Sequence, residues 1–149
     1  MKKLLVETDF LFGLNARDKL HPYVLRVLEL HKQGTLTIAI SSAAPLEAAL
    51  VLLSRGFQLD TVTRVLELMR NKLVEYNAEN YTSLSCDIIV EALRLRKTFP
   101  QLTFFDSIHI ATAKTMSLTL VTSDSVLLQI AKSLGIECME YRSLDQVLR

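Results

Sequence analysis

Apolar residues along this chain occur either in short continuous runs or in longer stretches with helical spacing. The short runs predict buried strands at residues 4–6, 36–40, 118–122 and 136–139. The longer stretches predict helices at residues 22–32, 45–53, 59–69, 78–99, 104–115 and 125–134, with a last helical turn from residue 143. Strands separated by helices require crossover connections. The pattern therefore predicts an α/β fold with a mainly parallel central sheet of about four or five strands and helices on both faces.

Glycine, proline and serine residues mark several of the expected helix ends. Gly34 and Gly135 follow the last apolar position of a helix, where a left-handed residue commonly ends it. Pro100 requires the long helix to stop before it. Ser143 and Gln146 have the spacing of a capping box for the final helix.

The length and composition indicate a single domain over residues 1–149, since half of the residues are hydrophobic and can form one substantial core. A net charge of +1 excludes the strongly basic balance of many nucleic-acid-binding proteins, so RNA would have to bind at a local patch. No run approaches the roughly 20 apolar residues of a membrane span, and we expect a cytoplasmic protein. Cys86 and Cys138 lack the spacing of a zinc site or a disulfide framework.

Carboxylates follow the predicted strands. Glu7 and Asp9 follow the first strand, Glu47 follows the second, Asp124 follows the third, and Asp106 begins a helix. In parallel sheets the functional crevice lies beyond the carboxyl ends of the strands, where these groups can converge. Because strand side chains alternate, we expect Glu7 and Asp9 to point to the same side.

A cluster of carboxylates is costly to bury because the like charges repel, and a hard divalent cation removes that repulsion. Mg²⁺ or Mn²⁺ is therefore the expected occupant. Such an ion can lower the pKa of a bound water and flank a phosphodiester, so hydrolysis needs no serine or histidine nucleophile.

Four segments resemble, in order, the motifs of PIN-domain nucleases. They are Val6-Glu7-Thr8-Asp9-Phe10-Leu11, Pro45-Leu46-Glu47, Phe105-Asp106-Ser107-Ile108-His109-Ile110-Ala111-Thr112-Ala113 and Leu120-Val121-Thr122-Ser123-Asp124. The resemblance spans nearly the whole chain, and the segments around Asp106 and Asp124 are the most specific. It implies a metal-dependent endoribonuclease in which Asp9 or Glu7 acts with Glu47, Asp106 and Asp124 in binding the metals. It also implies that Thr122 or Ser123 assists through a hydroxyl group.

One position departs from the family pattern. The family usually has Asp-Thr-Asn or Asp-Thr-Asp at the first strand, whereas this chain has Glu7-Thr8-Asp9, so Glu7 occupies the catalytic position. A longer glutamate can still reach a metal, and the choice between Glu7 and Asp9 stays open.

The resemblance also implies partners. Many relatives are VapC-type toxins that cut RNA, which predicts an RNA substrate and an antitoxin protein. Relatives often form dimers through the pair of helices after the second strand, which predicts a homodimer. The apolar stripe of Leu59, Val62, Leu66 and Met69 lies on this pair and is expected to be mainly core.

Plainer interpretations exist for each residue taken alone. Asp9, Asp106 and Asp124 can each cap a helix. His109 stands one turn after Asp106, but a histidine on an apolar helix face is more often a packed core residue, so we leave it outside the ligand set. Arg94, Arg96 and Lys97, near the end of the long helix, can meet phosphates, but cationic residues in a last helical turn also complement the helix dipole, which is the account we favour.

Two other functions compete with the nuclease. One is a catalytically silent PIN module that binds RNA or a protein partner, suggested by Glu7 and by the lack of a strongly basic tract. The other is a phosphotransferase of the haloacid-dehalogenase kind. That chemistry needs an aspartate nucleophile where this chain has Glu7, and no convincing lysine motif accompanies it.

Overall fold

The computed structural model describes residues 1–148 and consists of a small sheet with helices on both sides. Its strands are β1 (Lys2–Val6), β2 (Leu36–Ile40), β3 (Thr119–Val121) and β4 (Cys138–Met139). Its helices are α1 (Thr8–Phe12), α2 (His21–Lys32), α3 (Ala43–Ser54), α4 (Leu59–Glu75), α5 (Cys86–Thr98), α6 (Phe104–Met116), α7 (Ser125–Ser133) and α8 (Leu144–Val147), with a 3-10 turn at Tyr141–Ser143. Among the described residues, no helix is both long enough and apolar enough to span a membrane.

The four strands lie in the order β2-β1-β3-β4, and each neighbouring pair is parallel. This confirms the predicted α/β fold with a parallel central sheet. Val6, the last residue of β1, is level with Ile40 of β2 and Val121 of β3. The residues that follow these three strands therefore leave the sheet side by side at one edge.

Alternation along β1 divides the core between the two faces of the sheet. Leu4 and Val6 pack in the cluster that contains the buried residues of α2 and part of α4. Leu5 points the other way and packs with the buried residues of α5, α6 and α7. Helices thus cover both faces of the sheet, as predicted. The edge beyond the carboxyl ends of the strands is not part of either core cluster.

The predicted helix over residues 78–99 was wrong in its first third. The helix begins at Cys86, where the Ser85 side chain accepts a hydrogen bond from the Ile88 backbone. The preceding segment is extended and bonds to the end of β2, with the Ile40 backbone N–H donating to the Asn80 carbonyl. The spacing of apolar side chains could not predict this pairing, because the pairing uses backbone N–H and C=O groups.

The final helix begins where the sequence indicated, but not through a capping box. The Ser143 side chain makes no capping hydrogen bond, and the 3-10 turn at Tyr141–Ser143 leads directly into α8. The three glycines at the ends of α2, α3 and α7 have positive φ angles, as expected for helix termination.

Candidate active site

The register of the sheet places Glu7, Ser41 and Thr122 side by side, because each directly follows one of three level strands. Thr122 donates a hydrogen bond from Oγ1 to Oε1 of Glu7 at 2.9 Å. The other carboxylate oxygen of Glu7 accepts from the Asp9 backbone at 3.3 Å and so caps α1. Glu7 is buried and held in one orientation by these contacts.

Glu47 reaches the same place from the second turn of α3. Its Oε1 atom accepts a hydrogen bond from the Thr8 hydroxyl and lies 2.9 Å from Nε2 of His109. The same His109 nitrogen is 3.9 Å from Oε2 of Glu7. One potential ligand atom from each of Glu7, Glu47 and His109 therefore lies within 4.8 Å of the others.

His109 is the residue that the sequence interpretation left out of the site. It is fully buried, as expected for a packed residue, yet both ring nitrogens face polar groups: Nε2 faces Glu47, and Nδ1 lies 2.7 Å from the Ser41 hydroxyl. The available signal was its position three residues after Asp106, which places both side chains on one face of α6.

Asp106 lies in the first turn of α6 and is half-buried. It does not cap the helix, because Thr103 accepts the capping hydrogen bond from the Asp106 backbone at 3.1 Å. Burial raises the pKa of Asp106, and the negative charges of Glu47 and Asp124 raise it further. The three carboxylates are thus close enough to interact electrostatically.

Asp124 caps α7 with one oxygen. Its Oδ1 atom accepts hydrogen bonds from the backbones of Val126 and Leu127 at 2.8 and 3.1 Å, and its side chain is exposed. Asp124 therefore has a structural role at the rim, although its charge still acts on Asp106. It does not belong to the group of atoms formed by Glu7, Glu47 and His109.

Asp9 does not share a strand face with Glu7, which corrects the expectation from alternation. β1 ends at Val6, and Asp9 already belongs to α1. Its Oδ2 atom accepts from both the backbone and the hydroxyl of Ser123 at 2.7 Å, and its Oδ1 accepts from the Tyr141 hydroxyl at 2.7 Å. Tyr141 carried no sequence signal for this role, since only folding brings it to the site.

The electrostatics of the site are unfavourable for a buried anion. Burial raises the pKa of Glu7 well above its usual value, and the neighbouring charge of Asp9 raises it further. Burial also opposes ionisation of Glu47, but hydrogen bonds from His109 and Thr8 outweigh it and lower the pKa of that carboxyl. A divalent cation among these groups would remove the penalty on ionised Glu7, so the donor set fits such an ion.

A cavity of about 790 Å³ adjoins the site at Asp9 and Ser123. Its walls come from α1, the segment that follows α1, the end of α3 and one side of α4, and they are mainly apolar. Lys19, Arg55 and Lys72 add positive charge to the lining, and Asp18 adds negative charge beside that of Asp9. By contrast, Arg96 at the end of α5 donates to the Leu102 carbonyl at 3.2 Å, which supports a structural role.

Several solved structures share this fold. The chain is 21% identical to PAE2754 from Pyrobaculum aerophilum, with 99% of this chain and 96% of that one covered and a TM-score of 0.64. It is 17% identical to a chain of VapBC2 from Rickettsia felis bound to a promoter DNA fragment, with coverage of 93% and 98% and a TM-score of 0.66. It is also 17% identical to VapC20 of Mycobacterium tuberculosis, a sarcin-ricin-loop-cleaving toxin, with coverage of 89% and 95% and a TM-score of 0.63.

No curated protein matches the sequence. A family model does match, and its description is PIN domain. The match covers residues 4–133, which include all four strand-end carboxylates and the whole of α6. Sequence and fold agree on this point, and the chain belongs to the PIN domain family.

Proposed function

We propose that this protein is a metal-dependent endoribonuclease that hydrolyses RNA phosphodiesters with Mg²⁺ or Mn²⁺. One observation carries the proposal: Glu7, Glu47 and His109, far apart in sequence, bring potential ligand atoms within 4.8 Å of one another at the carboxyl edge of the sheet. Asp106 lies outside this group but is close enough for the charge of Glu47 to raise its pKa, and the chain belongs to a family that generally consists of nucleases. The family membership supports nuclease activity. We propose RNA as the substrate and Mg²⁺ or Mn²⁺ as the ion.

In this proposal Glu7 and Glu47 are the central metal ligands, and Asp106 and Asp124 contribute charge from the open side. Asp9 is a positioning residue, because both of its oxygens already accept hydrogen bonds from Ser123 and Tyr141. A divalent cation bound there would lower the pKa of a water ligand and would counter the negative charge of the phosphodiester. Thr122 orients Glu7 through the hydrogen bond described above.

The test is RNA cleavage by the purified protein with Mn²⁺ or Mg²⁺, with and without excess chelator. We expect cleavage only with metal, and a loss of at least about 100-fold in Glu47→Gln. Glu29→Gln, an exposed carboxylate of α2, is the matched control and should keep full activity. Undiminished cleavage in excess chelator would overturn the metal role.

We also propose that the protein is the toxin of a toxin–antitoxin pair. Similar structures include FitAB bound to a DNA fragment and a toxin–antitoxin complex from Klebsiella pneumoniae. The apolar cavity beside Asp9 suits the apolar face of an amphipathic segment. Lys19, Arg55 and Lys72, partly offset by Asp9 and Asp18, can pair with acidic residues of that segment. Co-expression with the product of an adjoining short reading frame should yield a complex that lacks RNase activity, and failure to form one contradicts this assignment.

A homodimer is the third part of the proposal. Leu46, Leu50 and Leu53 recur at helical spacing on α3 and are 54%, 47% and 37% exposed, which forms an apolar stripe. This stripe belongs to the pair of helices that PIN relatives often use for dimer contacts. A second copy of the chain would cover it.

The competing function is a silent PIN module that binds RNA without cutting it. It is favoured by the contacts of Glu47, whose Oε1 atom already accepts from Thr8 and faces His109, and by Glu7 in place of the usual aspartate. Calorimetric titration with Mn²⁺ separates the two functions. A silent module would retain RNA binding but give neither heat of metal binding nor cleavage.

A further inference from the structure

We propose that Nε2 of His109 is a direct metal ligand, and that this nitrogen makes the site prefer Mn²⁺ and later transition-metal dications to Mg²⁺. The inference rests on the proposed metal-dependent function and specifies the ion. It starts from a residue whose side chain is fully buried and yet directed at the two central carboxylates.

The distances suit a shared ion. With metal–ligand bonds of about 2.1 Å, neighbouring ligands at right angles lie about 3.0 Å apart and opposite ligands about 4.2 Å apart. Nε2 of His109 is 2.9 Å from Oε1 of Glu47 and 3.9 Å from Oε2 of Glu7. The first distance matches neighbouring ligands and the second falls between the two arrangements, so His109 needs little movement to coordinate.

Ser41 can hold the ring in the required tautomer. A metal-bound Nε2 cannot carry a proton, so the proton of a neutral ring must reside on Nδ1. Nδ1 lies 2.7 Å from the Ser41 hydroxyl, which can accept that proton in a hydrogen bond. Without metal, the Ser41 hydroxyl can instead donate to Nδ1 while Nε2–H donates to Glu47. Metal-ligating histidines commonly have such a partner on the second nitrogen.

The imidazole nitrogen changes the relative affinity of the site for Mn²⁺ and Mg²⁺. Mg²⁺ is a hard cation that prefers oxygen ligands and keeps several waters, whereas affinity for nitrogen-containing sites rises from Mn²⁺ towards later transition metals. An all-carboxylate site would show this preference more weakly, because carboxylate oxygens suit Mg²⁺ and Mn²⁺ alike. The buried imidazole therefore shifts selectivity in a way that neither Glu7 nor Glu47 can.

The direct test is pulsed electron paramagnetic resonance of the wild-type protein loaded with Mn²⁺. We expect a ¹⁴N coupling from a coordinated imidazole that disappears in His109→Gln and persists in His21→Gln. The chain has only three histidines, and His21 and His31 bond elsewhere, to the Gly13 and Asn77 carbonyls. Bound Mn²⁺ without imidazole coupling overturns the inference but leaves the metal-dependent nuclease standing. Absence of any bound Mn²⁺ overturns both.

A second measurement does not depend on the EPR signal. Calorimetric titration should show tighter binding of Mn²⁺ than of Mg²⁺ by wild type, and the ratio of the two affinities should fall about 10-fold or more in His109→Gln. The glutamine supplies an amide oxygen in place of the nitrogen, and circular dichroism establishes whether the variant is folded. An unchanged ratio in a folded variant overturns the inference. If His109→Gln does not fold, the wild-type EPR spectrum alone decides.

Discussion

Thr122 Oγ1 donates a hydrogen bond to Glu7 Oε1 at 2.9 Å, across 115 positions of sequence. Both residues directly follow strands whose last residues, Val6 and Val121, are paired in the sheet. The orientation of Glu7 is therefore set by the sheet itself and not by a mobile loop. A site built in this way is preorganised, and its charges stay close together even when that proximity is unfavourable.

The first prediction concerns the buried charge of Glu7. Glu7→Gln can still accept the Thr122 hydrogen bond and no longer repels Asp9, but its amide nitrogen cannot accept from the Asp9 backbone, so α1 loses its cap. The relieved repulsion and the lost cap are each worth about 1 kcal/mol, so the free energy of unfolding in chelator should change by less than about 1 kcal/mol and the melting temperature by less than about 4 °C. RNA cleavage should fall at least about 100-fold in the same variant. A loss of more than about 2 kcal/mol of unfolding free energy, or full RNase activity, in Glu7→Gln would contradict this prediction.

The second prediction is a pH dependence of stability without metal. The folded protein raises the pKa of Glu7, so it retains a proton that the unfolded chain releases, and stability falls as pH rises above about 4.3. Asp106 acts in the same direction and Glu47 in the opposite one. The difference between wild type and Glu7→Gln isolates Glu7. Urea unfolding of both proteins in chelator between about pH 4 and 7 should show this difference growing with pH.

The third prediction separates the two roles of Asp124. Asp124→Ala removes the cap of α7 and should cost about 1 kcal/mol, whereas Asp124→Asn keeps a capping oxygen and should cost a few tenths. If the charge also serves the metal site, both variants lose RNase activity. Full RNase activity in Asp124→Asn would show that Asp124 acts only as the cap of α7.

The fourth prediction concerns the hydrogen bond from Tyr141 to Asp9. Burial, and then the charge of Asp9, raise the pKa of Tyr141 well above its usual value, so the phenol stays protonated and donates. Tyr141→Phe should lose about 2 kcal/mol of unfolding free energy, since hydrogen bonds to charged groups are strong. Tyr23→Phe, on the half-buried part of α2, is the comparison and should change little. Equal losses of unfolding free energy in the two variants would mean that the hydrogen bond from Tyr141 to Asp9 adds no measurable stability.

The fifth prediction tests the dimer. Leu50→Glu places a charge in the centre of the α3 stripe and should halve the mass measured by light scattering after size exclusion. Leu68→Glu, in the wall of the cavity beside Asp9, should leave the dimer intact and weaken binding of an antitoxin. A monomeric wild-type protein would remove the basis for this assignment.

The strands and most helices followed from apolar spacing, because burial on two faces of a parallel sheet imposes a regular pattern. The strand at residues 36–40 and the helix at residues 22–32 match within one residue. The extended segment before α5 did not follow, because the Asn80 carbonyl and the Thr82 backbone pair with Ile40 through groups that every residue carries.

The acidic part of the candidate site could be predicted because the carboxyl ends of parallel strands share one edge. The roles within it could not. Whether Glu7 or Asp9 joins Glu47 and His109 depends on β1 ending at Val6, and the partners of Asp9 come from remote segments. His109 looked like an ordinary core residue because burial and metal ligation both place a histidine inside the protein.

The contact between Asp9 and Tyr141 joins residues 132 positions apart. During synthesis, α1 and β1 emerge first, yet Asp9 lacks this partner until translation has passed Tyr141. A nascent chain still attached to the ribosome thus holds an unfinished pocket for most of its production. Asp9 therefore gains its fixed orientation only when nearly the whole chain is available to fold.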